Sequence, residues 1–213
     1  MLWAAVLAQT VALVPLAGAR NVYGRGVGDG IGLGLGEWTK WTQTLAVLEV
    51  LHVALGLLPS SLFTTLIQIA SRLLLVWGVC DRYMAPRASV AYPTMLFAWA
   101  VTEVCRYPYY IAALNRSPAP LLQWLRYNTF FVLYPLGAGS EAWCIWTALP
   151  EARRESDSYY WFLCFVLATY VPGWFPAGER DRERGANGLA GLYNQYSHMI
   201  RQRRKNIRGK MKA

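Results

Sequence analysis

The sequence predicts an all-α fold, a polytopic transmembrane bundle of about six spans in one domain. Of 213 residues, 55% are apolar and 15% are charged, whereas a soluble domain has about 25% charged residues. The chain is also rich in aromatic residues, with 10 Trp and 13 Tyr, and such side chains concentrate where a protein meets lipid headgroups. Finally, its apolar residues are grouped in long stretches.

These stretches are the candidate spans, and in chain order they are 2–18, 43–58, 61–80, 89–105, 121–148 and 159–176. A full crossing takes about 20 apolar residues, so hydropathy alone supports between four and six. The first stretch ends in Ala17-Gly18-Ala19, which also fits a signal-peptide cleavage site, but no basic residue precedes it. We therefore expect a first membrane helix that is shortened at its start.

Turn-forming and polar residues mark the connections. Ser60 and Ser61 after Pro59 predict a tight turn between the second and third spans. The glycines between 24 and 36 all occupy even positions, which excludes G-x-G-x-x-G and predicts a flexible loop. Residues 150–157 predict a water-facing loop that breaks the last two spans apart. The four cysteines form no C-x-x-C and are expected to be small buried side chains, with no metal site.

Positive charge is concentrated at the carboxyl end. Residues 178–213 contain 10 basic and three acidic residues, and so contribute +7 of the net +9. Basic segments flanking membrane helices stay on the cytosolic side, so 178–213 is predicted to be a cytosolic tail after a membrane domain at 1–177. Nucleic-acid binding is not expected.

Ionisable residues within the spans are candidates for function, because charge is costly in a membrane and faces the bundle interior. They are Glu49, Arg72, Glu103, Arg126 and Glu141. Glu103 and Arg106 are three residues apart and are predicted to pair on one helix face. Glu49 and His52 have the same spacing, and we expect them to orient helices.

A phenol and a carboxyl within the fifth span form the main candidate site. Tyr134 and Glu141 are seven residues apart, about two helical turns, and therefore share one face. Pro135, Gly137 and Gly139 lie between them and are expected to loosen or kink the helix and to open space beside it. An acid–base pair in a dry site is one interpretation, and a structural role is the other.

At these residues the sequence resembles the very-long-chain (3R)-3-hydroxyacyl-CoA dehydratase family, a membrane family once called protein tyrosine phosphatase-like. The resemblance covers about residues 43–205. Its blocks are LEVLH at 48–52, QIASRLLLVW at 68–77, WAVTEVCRY at 99–107, the stretch from Trp124 through LYP at 133–135 to Glu141 and Leu149-Pro150, and the tail at 196–205.

The resemblance implies a multi-pass protein of the endoplasmic reticulum membrane that catalyses the third step of fatty acid elongation. In that step (3R)-3-hydroxyacyl-CoA loses water to give trans-2-enoyl-CoA. The family's catalytic tyrosine and glutamate fall on Tyr134 and Glu141. Long-chain 3-hydroxyacyl-CoA, the lipid bilayer and further elongase components are the implied partners, and this hydro-lyase chemistry needs no cofactor.

The phosphatase part of the older name finds no support in the residues. A tyrosine phosphatase needs a Cys nucleophile and, six positions later, an Arg that holds phosphate. The corresponding positions here are Val53 and Pro59, so phosphatase activity is rejected.

Dehydration needs a base for the C2 proton and an acid for the C3 hydroxyl. The working assignment makes Tyr134 the base, assisted by Arg126 or Arg106, and protonated Glu141 the acid; the reverse assignment stays open. Arg106, Arg116, Arg126 and the tail are candidates for binding the CoA phosphates.

Two other classes of protein compete with the enzyme. A catalytically inactive scaffold that binds acyl-CoA or elongase partners is the main alternative. A small transporter would be expected to have two similar halves, and the sequence contains no internal repeat.

Overall fold

The computed structural model describes residues 2–24, 34–56, 62–115 and 120–170. All regular secondary structure in these residues is helical, which confirms the predicted all-α class for this part of the chain. In order, the elements are α1 (Leu2–Ala17), α2 (Leu35–Leu45), α3 (Val47–Ala54), α4 (Leu62–Leu73) with a π-helical continuation (Leu74–Cys80), α5 (Met84–Arg87), α6 (Ala91–Leu114), α7 (Pro120–Glu155) and α8 (Asp157–Tyr170).

The helices overlap the predicted spans but differ from them in several places. α2 begins at Leu35, inside the predicted loop at 24–36, and α6 ends at Leu114 rather than at 105. The second predicted span is divided between α2 and α3, which meet at Ala46. The fifth span is one uninterrupted helix of 36 residues, with Pro135 and Pro150 inside it. A proline removes one N–H from the helix, and packing of α7 against α6 and α8 holds the helix together across that gap. Within the described ranges, no helix has both the length and the apolarity needed to cross a bilayer.

The predicted loop at 150–157 is wrong in form, because residues 150–155 complete α7 and Ser156 separates it from α8. Arg153, Arg154 and Glu155 are exposed as expected. Glu151 instead accepts hydrogen bonds from the backbone N–H groups of Met84 and Ala85, at 3.0 and 2.9 Å. These are orphan donors in the first turn of α5, so a charged residue expected in water ties two elements together.

The core lies between α6 and α7, with α1 packed on α6 and α8 on α7. Buried positions of α6 recur every three or four residues, and those of α7 follow the same period, so each helix turns one apolar stripe inward. The buried residues include Tyr92, Met95, Leu96, Trp99 and Ala100 on α6, and Cys144, Ile145, Ala148, Leu149 and Ala152 on α7. Cys80 and Cys144 are buried free thiols, and Cys105 and Cys164 are half-buried.

Three sequence predictions fall outside the described residues: the turn at Ser60 and Ser61, most of the glycine loop (25–33) and the basic tail (178–213).

Candidate functional site

Glu141 is held from two sides by neutral hydrogen-bond donors. The indole Nε1 of Trp99, on α6, donates to Oε1 at 2.7 Å, and the hydroxyl of Tyr170, on α8, donates to Oε2 at 2.9 Å. Trp99 and Tyr170 are both buried. The carboxyl therefore lies where α6, α7 and α8 meet, with each of its oxygens contacted by a different helix.

Tyr134 precedes Glu141 by seven residues in the same continuous helix. Seven residues span about 10 Å along a helix axis and return to the same face, so α7 presents both side chains in one direction. Tyr134 is half-buried. The charge of Glu141 acts on its hydroxyl, and both groups act on the Tyr170 hydroxyl. The predicted pair and Tyr170 thus share one polar neighbourhood.

A network of ion pairs lies beside this neighbourhood, centred on Glu103 of α6, which is 2% exposed. Arg72 Nη1 lies 2.7 Å from Glu103 Oε1, and Arg106 Nε donates to Oε2 at 2.8 Å. Arg106 also binds both oxygens of Glu49, at 2.7 and 2.9 Å. The predicted pairing of Glu103 with Arg106 is confirmed, whereas Glu49 binds Arg106 from α3 and His52 is exposed.

Arg72 connects this network to Glu141. Its guanidinium carbon lies 5.1 Å from the centroid of the Trp99 ring, within the range of a cation–π contact. The indole whose N–H reaches Glu141 therefore has Arg72 over its face. The charges of the network offset one another among Glu49, Arg106, Glu103 and Arg72. Glu141, by contrast, forms no salt bridge within the described residues.

Glu103 and Glu141 thus differ in how their negative charge is compensated. Glu103 is compensated by two permanent cations, as a structural carboxylate requires. Among the described residues, Glu141 receives only neutral donors in direct contact, so a proton can be added to it or removed without breaking any ion pair seen there. This contrast distinguishes a carboxyl that can exchange protons from one that holds helices together.

The structure describes the three arginines predicted to bind substrate to different extents. Arg106 has its charge offset by Glu49 and Glu103 and is about a quarter exposed, which leaves little free charge for a CoA phosphate. Arg116 lies outside the described residues, and the Arg126 side chain is not among those described. Substrate binding by these residues stays a prediction.

Sequence reasoning missed Trp99 and Tyr170 as parts of the site. Trp99 stands in the WAVTEVCRY block, but no local spacing connects it to Glu141, which is 42 residues away. Tyr170 is 29 residues beyond Glu141 in the last helix. Only the packing of α6 and α8 on α7 brings these donors to the carboxyl.

Two surface cavities border α7 on other faces. One, of about 570 Å³, is lined by residues of α7 that include Pro135, Gly139 and Trp143. The other, of about 810 Å³, lies between α7 and α8 and includes Trp146 and Tyr160. Neither has Tyr134 or Glu141 in its lining, so neither is the open space predicted beside the pair.

Comparison with known proteins identifies relatives over most of the chain. Residues 43–209 match the family model described as "Protein tyrosine phosphatase-like protein, PTPLA". The chain is 42% identical over 167 residues to a probable very-long-chain (3R)-3-hydroxyacyl-CoA dehydratase of Schizosaccharomyces pombe, covering 78% of this chain and 72% of that protein.

Animal proteins match as well. Very-long-chain (3R)-3-hydroxyacyl-CoA dehydratase 1 of Mus musculus is 30% identical over 215 residues, 94% of this chain and 70% of the relative. Dehydratase 2 of Homo sapiens is 34% identical over 180 residues, 78% of this chain and 63% of the relative. No solved structure matches the chain. By the extent of these matches, the chain belongs to the protein tyrosine phosphatase-like (PTPLA) family.

Proposed function

We propose that this chain is a very-long-chain (3R)-3-hydroxyacyl-CoA dehydratase, a hydro-lyase of fatty acid elongation. The relatives described above have that name. The single structural observation that carries the proposal is the Glu141 carboxyl, which accepts hydrogen bonds from neutral donors alone among the described residues and lies on the same helix as Tyr134. A phenol and an exchangeable carboxyl on one helix face are the acid and base that this reaction needs.

In the proposed reaction one group of the pair removes the proton from C2 of the acyl chain. The electron pair of that C–H bond forms the C2–C3 double bond, and the C–O bond at C3 breaks. The other group donates a proton to the departing hydroxyl, which leaves as water. The product is trans-2-enoyl-CoA, and the pair ends with its proton moved from one member to the other. Each positioned group contributes roughly 10²–10⁴ in rate.

We propose that the protein lies in the endoplasmic reticulum membrane as a multi-pass bundle with its carboxyl terminus cytosolic. Large apolar side chains exposed along its helices support this, because extensive exposed apolar surface marks sites where a protein meets a membrane or another protein. Exposed examples are Trp41, Leu48, Leu51, Phe63, Leu66, Trp146, Trp161 and Phe165. The basic segment 178–213 would face anionic lipid of the cytosolic leaflet. Elongase components are its proposed partners.

Purified protein tests the activity directly. The chain is reconstituted in detergent or lipid with a long-chain (3R)-3-hydroxyacyl-CoA, and trans-2-enoyl-CoA is measured by mass spectrometry. Tyr134→Phe and Glu141→Gln are each expected to lower turnover by at least about 100-fold. Each removes one proton-transferring group and keeps the shape of the side chain.

Matched controls separate chemistry from folding. Tyr159→Phe removes a hydroxyl that donates to the Gly78 carbonyl oxygen at 2.9 Å, and Glu155→Gln changes an exposed carboxyl at the end of the same helix as Glu141. Both controls should retain turnover. An inactive wild-type protein that still binds acyl-CoA would instead identify the scaffold, and normal turnover by either Tyr134→Phe or Glu141→Gln would exclude the pair.

Protease protection in microsomes tests the orientation. A tag placed after Ala213 should be digested without detergent if the tail is cytosolic. A tag that is protected until the membrane is dissolved would contradict the proposed topology.

A further inference from the structure

We infer that Trp99 and Tyr170 are positioning residues for Glu141, and that Trp99 confines the exchangeable proton of this carboxyl to Oε2. The inference rests on the proposed dehydratase function and extends it to two residues on other helices. Its basis is the geometry around the carboxyl, in which Oε1 meets the Trp99 indole at 2.7 Å and Oε2 meets the Tyr170 hydroxyl at 2.9 Å.

The two donors differ in whether they can also accept a hydrogen bond from a protonated carboxyl. An indole N–H can only donate, whereas a phenolic hydroxyl can donate or accept. While Trp99 contacts Oε1, that oxygen must accept and has no place for a proton on the same side. A proton taken up by Glu141 therefore sits on Oε2, where the Tyr170 hydroxyl can turn from donor to acceptor. Both hydrogen bonds then persist in both protonation states of the carboxyl.

The Trp99 ring has contacts with two further side chains besides the carboxyl. Its centroid lies 6.4 Å from that of Trp3, on α1, in an edge-to-face arrangement. Arg72, anchored on Glu103, lies over the ring. A ring held by an aromatic neighbour and an anchored cation has few alternative rotamers, so its N–H direction is preorganised.

The groups that act electrostatically on Glu141 come from three helices. They are Arg72 of α4 and Tyr170 of α8, while α6 supplies the non-titrating Trp99; Glu141 in turn acts on Tyr134 of α7. Removal of a donor leaves Arg72 and Tyr134 in place. A change in the titration of the site after Trp99→Phe or Tyr170→Phe would therefore report the lost hydrogen bond.

The test compares pH–rate profiles of Trp99→Phe and Tyr170→Phe with that of the wild type, using the same enoyl-CoA assay. Loss of one donor destabilises the charged carboxylate, so the limb of the profile that belongs to Glu141 should move to higher pH by about one unit. A shifted alkaline limb would identify Glu141 as the acid, and a shifted acidic limb would identify it as the base. Turnover should fall by about 10- to 100-fold with KM nearly unchanged, because the carboxyl loses its orientation and substrate contacts remain.

Two matched controls lose hydrogen bonds of the same kind elsewhere. Trp77→Phe removes an indole N–H that donates to Thr44 Oγ1 at 3.1 Å, and Tyr159→Phe removes the hydroxyl bound to Gly78. Both should keep the wild-type limbs and turnover. Helicity and melting temperature are measured for all four variants. Should Trp99→Phe not fold, Tyr170→Phe, which removes one oxygen atom near the end of α8, decides the question by itself.

The outcomes of this experiment separate a failure of the positioning role from a failure of the proposed dehydratase function. Suppose that the wild type is active and that Trp99→Phe and Tyr170→Phe fold. If the pH limbs and turnover of these two variants then equal those of the controls, the positioning role is overturned and the dehydratase function is left intact. An inactive wild type would overturn the function itself.

Discussion

Glu103→Gln should destabilise the fold strongly, whereas Glu141→Gln should abolish turnover with little change in stability. In Glu103→Gln, the amide oxygen can still accept from one arginine, but the amide N–H₂ group faces the donors of the other. Breaking one partner out of a buried ion pair costs 3–5 kcal/mol. Because Arg72 and Arg106 are 26% and 25% exposed, water compensates in part, and we expect about 3 kcal/mol.

The same replacement at Glu141 has a different consequence. Glutamine can accept from the Trp99 indole through its oxygen and donate to the Tyr170 hydroxyl through its nitrogen, so both hydrogen bonds persist. We expect a loss of about 1 kcal/mol or less in unfolding free energy. The two variants therefore differ in stability although both replace a carboxyl inside the helix bundle by an amide.

Thermal unfolding in detergent, followed by circular dichroism, measures this difference. A change of 1 kcal/mol shifts the melting temperature of a domain this size by roughly 2–4 °C, so Glu103→Gln should melt about 6–12 °C below the wild type. Glu141→Gln should stay within about 4 °C of it. Equal melting temperatures for the two variants would refute the division between a structural and an exchangeable carboxyl.

Two further predictions concern Asp81 and Gly36, which both lie against Tyr23. Partial burial tends to raise the pKa of Asp81, but hydrogen bonds from Lys40 and Tyr23 outweigh it and hold this pKa below its ordinary value. Its contribution to stability is therefore present above about pH 4 and lost as pH falls below that value; chemical denaturation from pH 6 to pH 3 should show a smaller acid loss for Asp81→Asn than for the wild type, and equal slopes would contradict this. Gly36→Ala should destabilise by about 1–3 kcal/mol, because an added Cβ would lie 2.6 Å from the Tyr23 ring. Gly139→Ala, with nothing within 4 Å of its Cβ, is the control and should melt no lower than the wild type.

Local pattern predicted the helices well, because apolar period and length depend only on neighbours in sequence. The stretches at 2–18, 61–80 and 89–105 correspond to α1, α4 with its π-helical continuation, and α6. The pattern failed at 150–157, where charged residues favoured a loop. There Glu151 and Glu155 have partners in the segment 82–85, which lies about 70 residues earlier, and no local signal represents those contacts.

Some contacts in the ion-pair network could likewise be predicted from local spacing, and others could not. Glu103 and Arg106 pair across one helical turn, which spacing alone could predict. Arg72 and Glu49 join them from α4 and α3, and their participation depends on how those helices pack. The sequence predicted that these charges face the interior of the bundle, but residue spacing could not predict their partners.

From the sequence alone came the helical class, the common face of Tyr134 and Glu141 and the family resemblance, because each depends on composition or on order along one segment. Tertiary structure alone decided that Trp99 and Tyr170 contact Glu141 and that Arg72 and Arg106 compensate Glu103. The physical reason is that a carboxyl's protonation depends on the groups within a few ångströms of it, and helix packing supplies those groups from distant parts of the chain.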